Sequence, residues 1–202
     1  MNEEIRERLA AVEGLVEPVE GEKLAELAAQ VPRDRTIVEI GSHTGLSTLY
    51  LAEGSRSGEG AHVVAVDPFP EPRPKTPGID DDPFGLGADG VLGRFLENLE
   101  GYRDIVTPLR STSLEVARTW LAPIGLVFVD ALHEYEDVRA DVEAWGPYVS
   151  PGGWLALHDI WEDPERTRPS PTAAVVEQVI RPAGRLADEE IVWNLWVGRF
   201  LG

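Results

Sequence analysis

Apolar residues recur along this chain in two alternating rhythms, short continuous runs and wider spacings of three and four. The runs Thr36 to Ile40 (TIVEI), His62 to Asp67 (HVVAVD), Ile105 to Leu109 (IVTPL), Ile124 to Asp130 (IGLVFVD) and Trp154 to Leu157 (WLAL) predict buried strands. Between them, helical spacing predicts amphipathic helices over Glu3 to Val12, Glu20 to Val31, Val91 to Leu99 and Glu134 to Tyr148. The turn Arg110-Ser111-Thr112-Ser113 is read as the cap of a helix that runs to Trp120. Ser170 to Ile180 predicts a last helix, and two further strands, Arg185 to Val192 and Leu195 to Phe200, meet near a tight turn at Asn194. Strands alternating with helices predict an α/β protein with a mostly parallel sheet. Pro108 puts its strand at an edge, because proline cannot donate to a strand ladder.

Pro68 to Gly90 (PFPEPRPKTPGIDDDPFGLGADG) breaks the rhythm with prolines, glycines and acids. A loop of that length inside a compact domain points to a lid or binding loop, here with Phe69, Phe84 and Leu86 as its apolar contacts. Its Asp80-Asp81-Asp82 run reads as a solvated acidic stretch, with a cation site as the alternative.

Composition narrows the class. The 202 residues suit one domain, 1–202, with its own core. With 36 acidic against 18 basic residues the formal charge is −18, which repels nucleic acid and anionic membrane and argues against both as partners. No cysteine is present, which excludes disulfides, thiolate metal sites and a cysteine nucleophile. The charged first residues, MNEEIRERLAAVEG, and the lack of a long apolar run predict a cytoplasmic protein. Self-association is left open.

Chemistry concentrates first at TIVEIGSHTGLSTLYLA, residues 36–52, a strand, a glycine turn and a helix. Such a turn brings backbone close under a ligand and aims the helix's unpaired N–H groups and positive dipole end at it. A dinucleotide fingerprint needs glycine at the first, third and sixth positions, where this chain has Gly41, His43 and Leu46, so a nicotinamide-dependent oxidoreductase is a poor fit. Asp67 ends the second strand, where a carboxylate can accept both ribose hydroxyls of an adenosine cofactor. The string EIGSHTGLST, with Glu39 before Gly41 and Gly45, resembles the first motif of class I S-adenosylmethionine-dependent methyltransferases, in the form found among small-molecule O-methyltransferases acting on sugars and antibiotics. The string DALHEYEDVRADVEAWGPYVSPGGWLALHD resembles the same subfamily's D-x-x-H-x-Y, P-G-G and H-D pattern.

That resemblance implies a Rossmann-like, doubly wound, mostly parallel seven-stranded sheet with a C-terminal antiparallel strand pair. It implies S-adenosylmethionine as cofactor, held by Glu39, Gly41, Ser42, His43, Gly45, Ser47, Asp67, Asp130 and, beside the adenine, Ser111 and Ser113. The acceptor would be a hydroxyl of a small molecule. Three of the four histidines, His43, His133 and His158, follow strand ends, the edge where open α/β sheets bind ligands. Asp130, His133, His158 and Asp159 are expected to cluster there. His133 is the expected base, since an unperturbed imidazole accepts a proton near neutrality, with Asp130 and His158 as further catalytic candidates. The family pattern puts a divalent cation, magnesium or manganese, at Asp130 and Asp159, with His158 where a second acid is usual. The same four residues also suit a metal-free acid/base cluster, and a non-catalytic protein that keeps the fold is the remaining alternative.

Overall fold

The computed structural model describes residues 3–70, 90–161 and 169–201, in which strands and helices alternate much as the apolar rhythm predicts. The strands are β1 (Thr36–Ile40), β2 (His62–Asp67), β3 (Val106–Arg110), β4 (Ile124–Val129), β5 (Val149–Leu157), β6 (Leu186–Val192) and β7 (Leu195–Phe200). The helices are α1 (Glu3–Ala10), α2 (Pro18–Ala29), α3 (Leu46–Ser57), α4 (Gly90–Asn98), α5 (Ser113–Ala117), α6 (Tyr135–Trp145) and α7 (Pro171–Val175). Among the described residues they form one seven-stranded sheet in the order β3-β2-β1-β4-β5-β7-β6. β3, β2, β1, β4 and β5 run parallel, and β7 joins β5 and β6 antiparallel. The chain winds outward from β1 to β3 and then returns to β4 on the other flank of β1. The carboxyl ends of β1 and β4 therefore flank the switch point, where open sheets form their binding crevice.

Side chains alternate between the two faces, as strand geometry requires. Ile37, Val63, Ala65, Leu126 and Phe128 pack with Leu24, Leu27, Leu49 and Phe95 on one face. Val38, Ile40, Val64, Val66, Val127 and Val129 pack with Val138, Trp145, Val175 and Ile180 on the other. Both faces are covered, so the central strands read as unbroken apolar runs instead of alternating ones. As expected for Pro108, β3 is an edge strand.

Several boundaries differ from the sequence reading, each for a local reason. α5 stops at Ala117 instead of Trp120, and the Trp120 indole donates to the Ala122 carbonyl at 2.7 Å while packing on Trp145. β5 begins at Val149, not Trp154: Ile124 pairs with Val149 and Leu126 with Trp154, so Ser150 to Gly153 bulge from the ladder through Gly152 at φ +77°. α6 tightens into a 3₁₀ turn at Gly146–Tyr148, and the last helix leaves α geometry after Val175 for a π segment, Val176–Ile180. Phe69, expected on a lid, is 1% exposed and packs on Phe95 with ring centroids 4.9 Å apart, so it belongs to the core. Phe84, Leu86 and the Asp80 to Asp82 run lie outside the described residues. No helix among the described residues is long and apolar enough to cross a membrane.

Candidate functional site

A cavity of about 410 Å³ opens at the switch point, lined by Gly41, Ser42 and His43 from the β1–α3 turn, by Leu46 and Ser47 at the start of α3, by Asp67 at the end of β2 and Pro68 after it, and by Asp130 to His133 after β4. Gly14, Leu15 and Val16, between α1 and α2, close its remaining side. Nothing in the sequence marked that segment as a wall. Two larger hollows lie elsewhere, of about 620 Å³ among α1, α2 and α3 and about 670 Å³ beside α4. Neither gathers the convergent histidine and carboxylate groups found at the switch point.

The glycine turn keeps its shape through backbone constraints. Gly41 sits at φ +86°, and a Cβ built there would lie 2.6 Å from the Asp130 carbonyl carbon and 2.8 Å from Ala131 Cα. Its bareness thus serves the close approach of the β4 end, where the sequence reading gave it to a ligand. Gly45, at φ +95°, starts α3 with no side-chain cap, leaving that helix end toward the cavity for an anionic group. Asp67 locks the turn from below. Its Oδ2 accepts the Ser42 and His43 amides at 2.9 and 3.0 Å, and its Oδ1 accepts the Phe69 amide at 2.6 Å. Three backbone donors leave the carboxylate, which lines the cavity, with acceptor capacity to spare.

Other candidates from the sequence are placed further from that space. Glu39 is fully buried beneath α3 and accepts the Thr48 hydroxyl; burial pushes its carboxyl up to about 7. Ser113 donates to Asp141 and accepts the Trp145 indole at 2.8 Å, which ties α5 to α6. Ser111 donates to Glu115 at 3.0 Å, within the capping box of α5. Neither hydroxyl lines the cavity.

The histidines divide in a way the sequence does not show. His133 Nδ1 lies 2.7 Å from Asp159 Oδ2, and its side chain is 54% exposed. The hydrogen bond to Asp159 raises the imidazole above its ordinary value, and the same bond lowers Asp159. His158 is buried, with Nε2 3.1 Å from Glu20 Oε2 and Nδ1 3.2 Å from Asp130 Oδ1 and 3.5 Å from Asp159 Oδ1. Burial pulls His158 down, but the Asp130 and Glu20 acceptors win and lift it to about 10, an imidazolium at neutral pH.

Both ring nitrogens of His158 face carboxylates, Nε2 that of Glu20 and Nδ1 those of Asp130 and Asp159. Asp130, His133 and Asp159 present donor atoms within 4.8 Å of one another, a spacing and chemistry that fit one divalent cation.

Residues 38–160 match the model of a family described as methyltransferase domain. An uncharacterized protein of Sinorhizobium fredii, y4gI, is 30% identical over 129 residues, 63% of this chain but only 13% of that relative's length. A protein of Corynebacterium glutamicum shares the fold with a TM-score of 0.67 at 21% identity, over 98% of this chain and 88% of that one. The O-methyltransferase TomG of Streptomyces achromogenes, involved in tomaymycin synthesis and crystallised with SAM, superposes with a TM-score of 0.65 at 16% identity, over 100% of this chain and 91% of TomG. At those identities the two structures establish the fold.

Proposed function

The chain belongs to the methyltransferase domain family, whose model covers its central 38–160, and from that premise we propose that it transfers a methyl group from S-adenosylmethionine to a hydroxyl of a small molecule. One observation carries the reading: the uncapped start of α3, the Asp67 carboxylate and the His133 imidazole all border one cavity. The donor set suits this cofactor. A positive helix end is matched to an amino-acid carboxylate, while Asp67 and Asp130 are matched to hydroxyl and cationic groups. TomG, of the same fold, is an O-methyltransferase that binds SAM, which favours a hydroxyl acceptor.

When bound, S-adenosylmethionine supplies a methyl group already activated on a sulfonium, so displacement needs little covalent help. The protein's share is orientation and proton removal. Asp159 holds His133 by Nδ1, which leaves Nε2 of the neutral ring to accept the acceptor's hydroxyl proton as the new O–CH₃ bond forms and the C–S bond breaks. A positioned base of this kind contributes roughly 10² to 10⁴ in rate. Exposed Leu15 and Leu132 flank the opening and offer apolar contact to the acceptor's body. A divalent cation, if bound, would be held by Asp130, His133 and Asp159 and would lower the pKa of the acceptor hydroxyl.

Calorimetry with S-adenosylmethionine and with NAD, followed by labelled-methyl transfer to a panel of hydroxylated small molecules, tests the proposal. Binding of the first alone, with turnover lost in His133→Ala, is expected. Binding of NAD in place of S-adenosylmethionine would overturn it.

A further inference from the structure

Helix α2 sends one carboxylate across the sheet edge into the back of the site. Glu20 is completely buried, although it lies in the first turn of an amphipathic helix whose neighbours Val19 and Glu22 face solvent. Its Oε1 accepts the Asn194 amide at 2.8 Å; its Oε2 accepts the Glu17 amide at 2.8 Å and lies 3.1 Å from His158 Nε2. Capping α2 requires only the Glu17 contact, and glutamates serve that role at the surface. Burying a carboxyl group is costly unless hydrogen-bonding partners surround it, and the other two contacts, which capping does not require, supply those partners.

Both lead to Asp159. Through the side chain, Glu20 fixes His158 by Nε2, so the ring cannot turn without losing Asp130 and Asp159 on its other nitrogen. His158 attracts Asp159 Oδ1, which leaves Oδ2 aimed at His133. Through the backbone, Glu20 holds the Asn194 amide, and the Asn194 carbonyl accepts the Ile160 amide at 3.0 Å, beside Asp159. Asp159 itself stands at φ +59°, a left-handed conformation that its surroundings must impose. Relays from outer residues to a working imidazole commonly set its orientation.

We infer that Glu20 is a positioning residue, acting through His158 to hold Asp130 and Asp159 in the arrangement that orients His133. The inference rests on the methyl-transfer reading of the cluster. The variants Glu20→Gln and His158→Gln, alone and combined, test it. In Glu20→Gln the side-chain amide offers one acceptor oxygen where three donors need two, so the relay breaks with little change in volume.

Each single variant is expected to lower kcat tenfold or more while acceptor KM and cofactor Kd stay within about twofold, and the double variant is expected to be no slower than the slower single one. Additive losses, or full kcat in folded Glu20→Gln, would overturn the relay, because a purely structural role lowers Tm and leaves kcat alone. An activity-independent measurement covers failure of the methyl-transfer reading itself. In protein labelled with ¹⁵N-histidine, Glu20→Gln should shift the His133 ring resonances, although Glu20 does not touch His133. Unchanged His133 resonances refute the inference whatever the reaction is. Should Glu20→Gln not fold, Glu20→Asp, one methylene shorter with the charge kept, is measured by the same readouts and is expected to lose kcat similarly; full kcat there also refutes it.

Discussion

Replacing Gly41 by alanine adds one carbon at the point where the β1 turn meets the end of β4. Two separable penalties follow. A non-glycine residue at φ +86° costs about 1–2 kcal/mol for left-handed backbone. The new Cβ would also lie 2.6 Å from the Asp130 carbonyl carbon and 2.8 Å from Ala131 Cα, backbone atoms that cannot rotate away, and overpacking of this kind costs about 1–3 kcal/mol. The smaller entropy of the unfolded alanine chain returns about 0.4–1 kcal/mol. The net loss is about 1–5 kcal/mol, and at about 2–4 °C per kcal/mol for a domain of this length Tm should fall by about 2–20 °C. Gly60 supplies the control: it has φ +77° with nothing within 4 Å of an added Cβ. Gly60→Ala carries the backbone term and the entropy gain without the collision, so the difference between the variants isolates the contact with β4. Scanning calorimetry on both should show Gly41→Ala melting about 2–12 °C below Gly60→Ala. Equal melting temperatures would refute the claim that Gly41 is bare because of Asp130.

Asp67→Ala removes the acceptor for three backbone amides and is expected to weaken S-adenosylmethionine binding by about 1.5–3 kcal/mol, read as Kd by calorimetry; unchanged affinity would place the ribose elsewhere. Because the hydrogen bond to Asp159 raises His133, the neutral base form appears only above the ordinary value near 6.5. The kcat profile should therefore rise with pH through an apparent pKa above 6.5, and Asp159→Asn should move that limb downward. His158, raised to about 10, contributes stability that is complete below its unfolded value near 6.5 and is lost as pH climbs through 10. Wild-type Tm should consequently decline between pH 7 and 10 more steeply than that of His158→Gln. Exhaustive chelation followed by magnesium or manganese addition reads whether Asp130, His133 and Asp159 hold a cation: loss and recovery of turnover mark a metal site, and full activity throughout marks the His133–Asp159 pair acting alone.

The sheet was legible because buried parallel strands must be apolar without interruption, as IGLVFV and VVAV are, and because glycines punctuate the turn after β1. Asp67, Asp130 and His133 were legible because strand ends in such a sheet point into one crevice. What escaped depends on contacts far apart in sequence. Glu20 reads as an ordinary first-turn glutamate, and its partner His158 is 138 residues away. For the same reason the sequence does not show that the Ser113 hydroxyl meets Asp141, or that carboxylates face both nitrogens of His158. Gly41 reads from the sequence as a place where backbone passes under a ligand, yet its neighbour is a peptide from the β4 end, a crossing that only the strand order creates.

The cavity wall formed by Gly14 to Val16 has a practical consequence for recombination between relatives. Residues 38–160 carry the family's match, but the groove they form is closed by chain that precedes them, as is the support that Glu20 gives to His158. A chimera that exchanges only the matched segment would join one protein's turn to another's wall. Transplants meant to change acceptor choice should therefore carry the chain ahead of β1 with the segment.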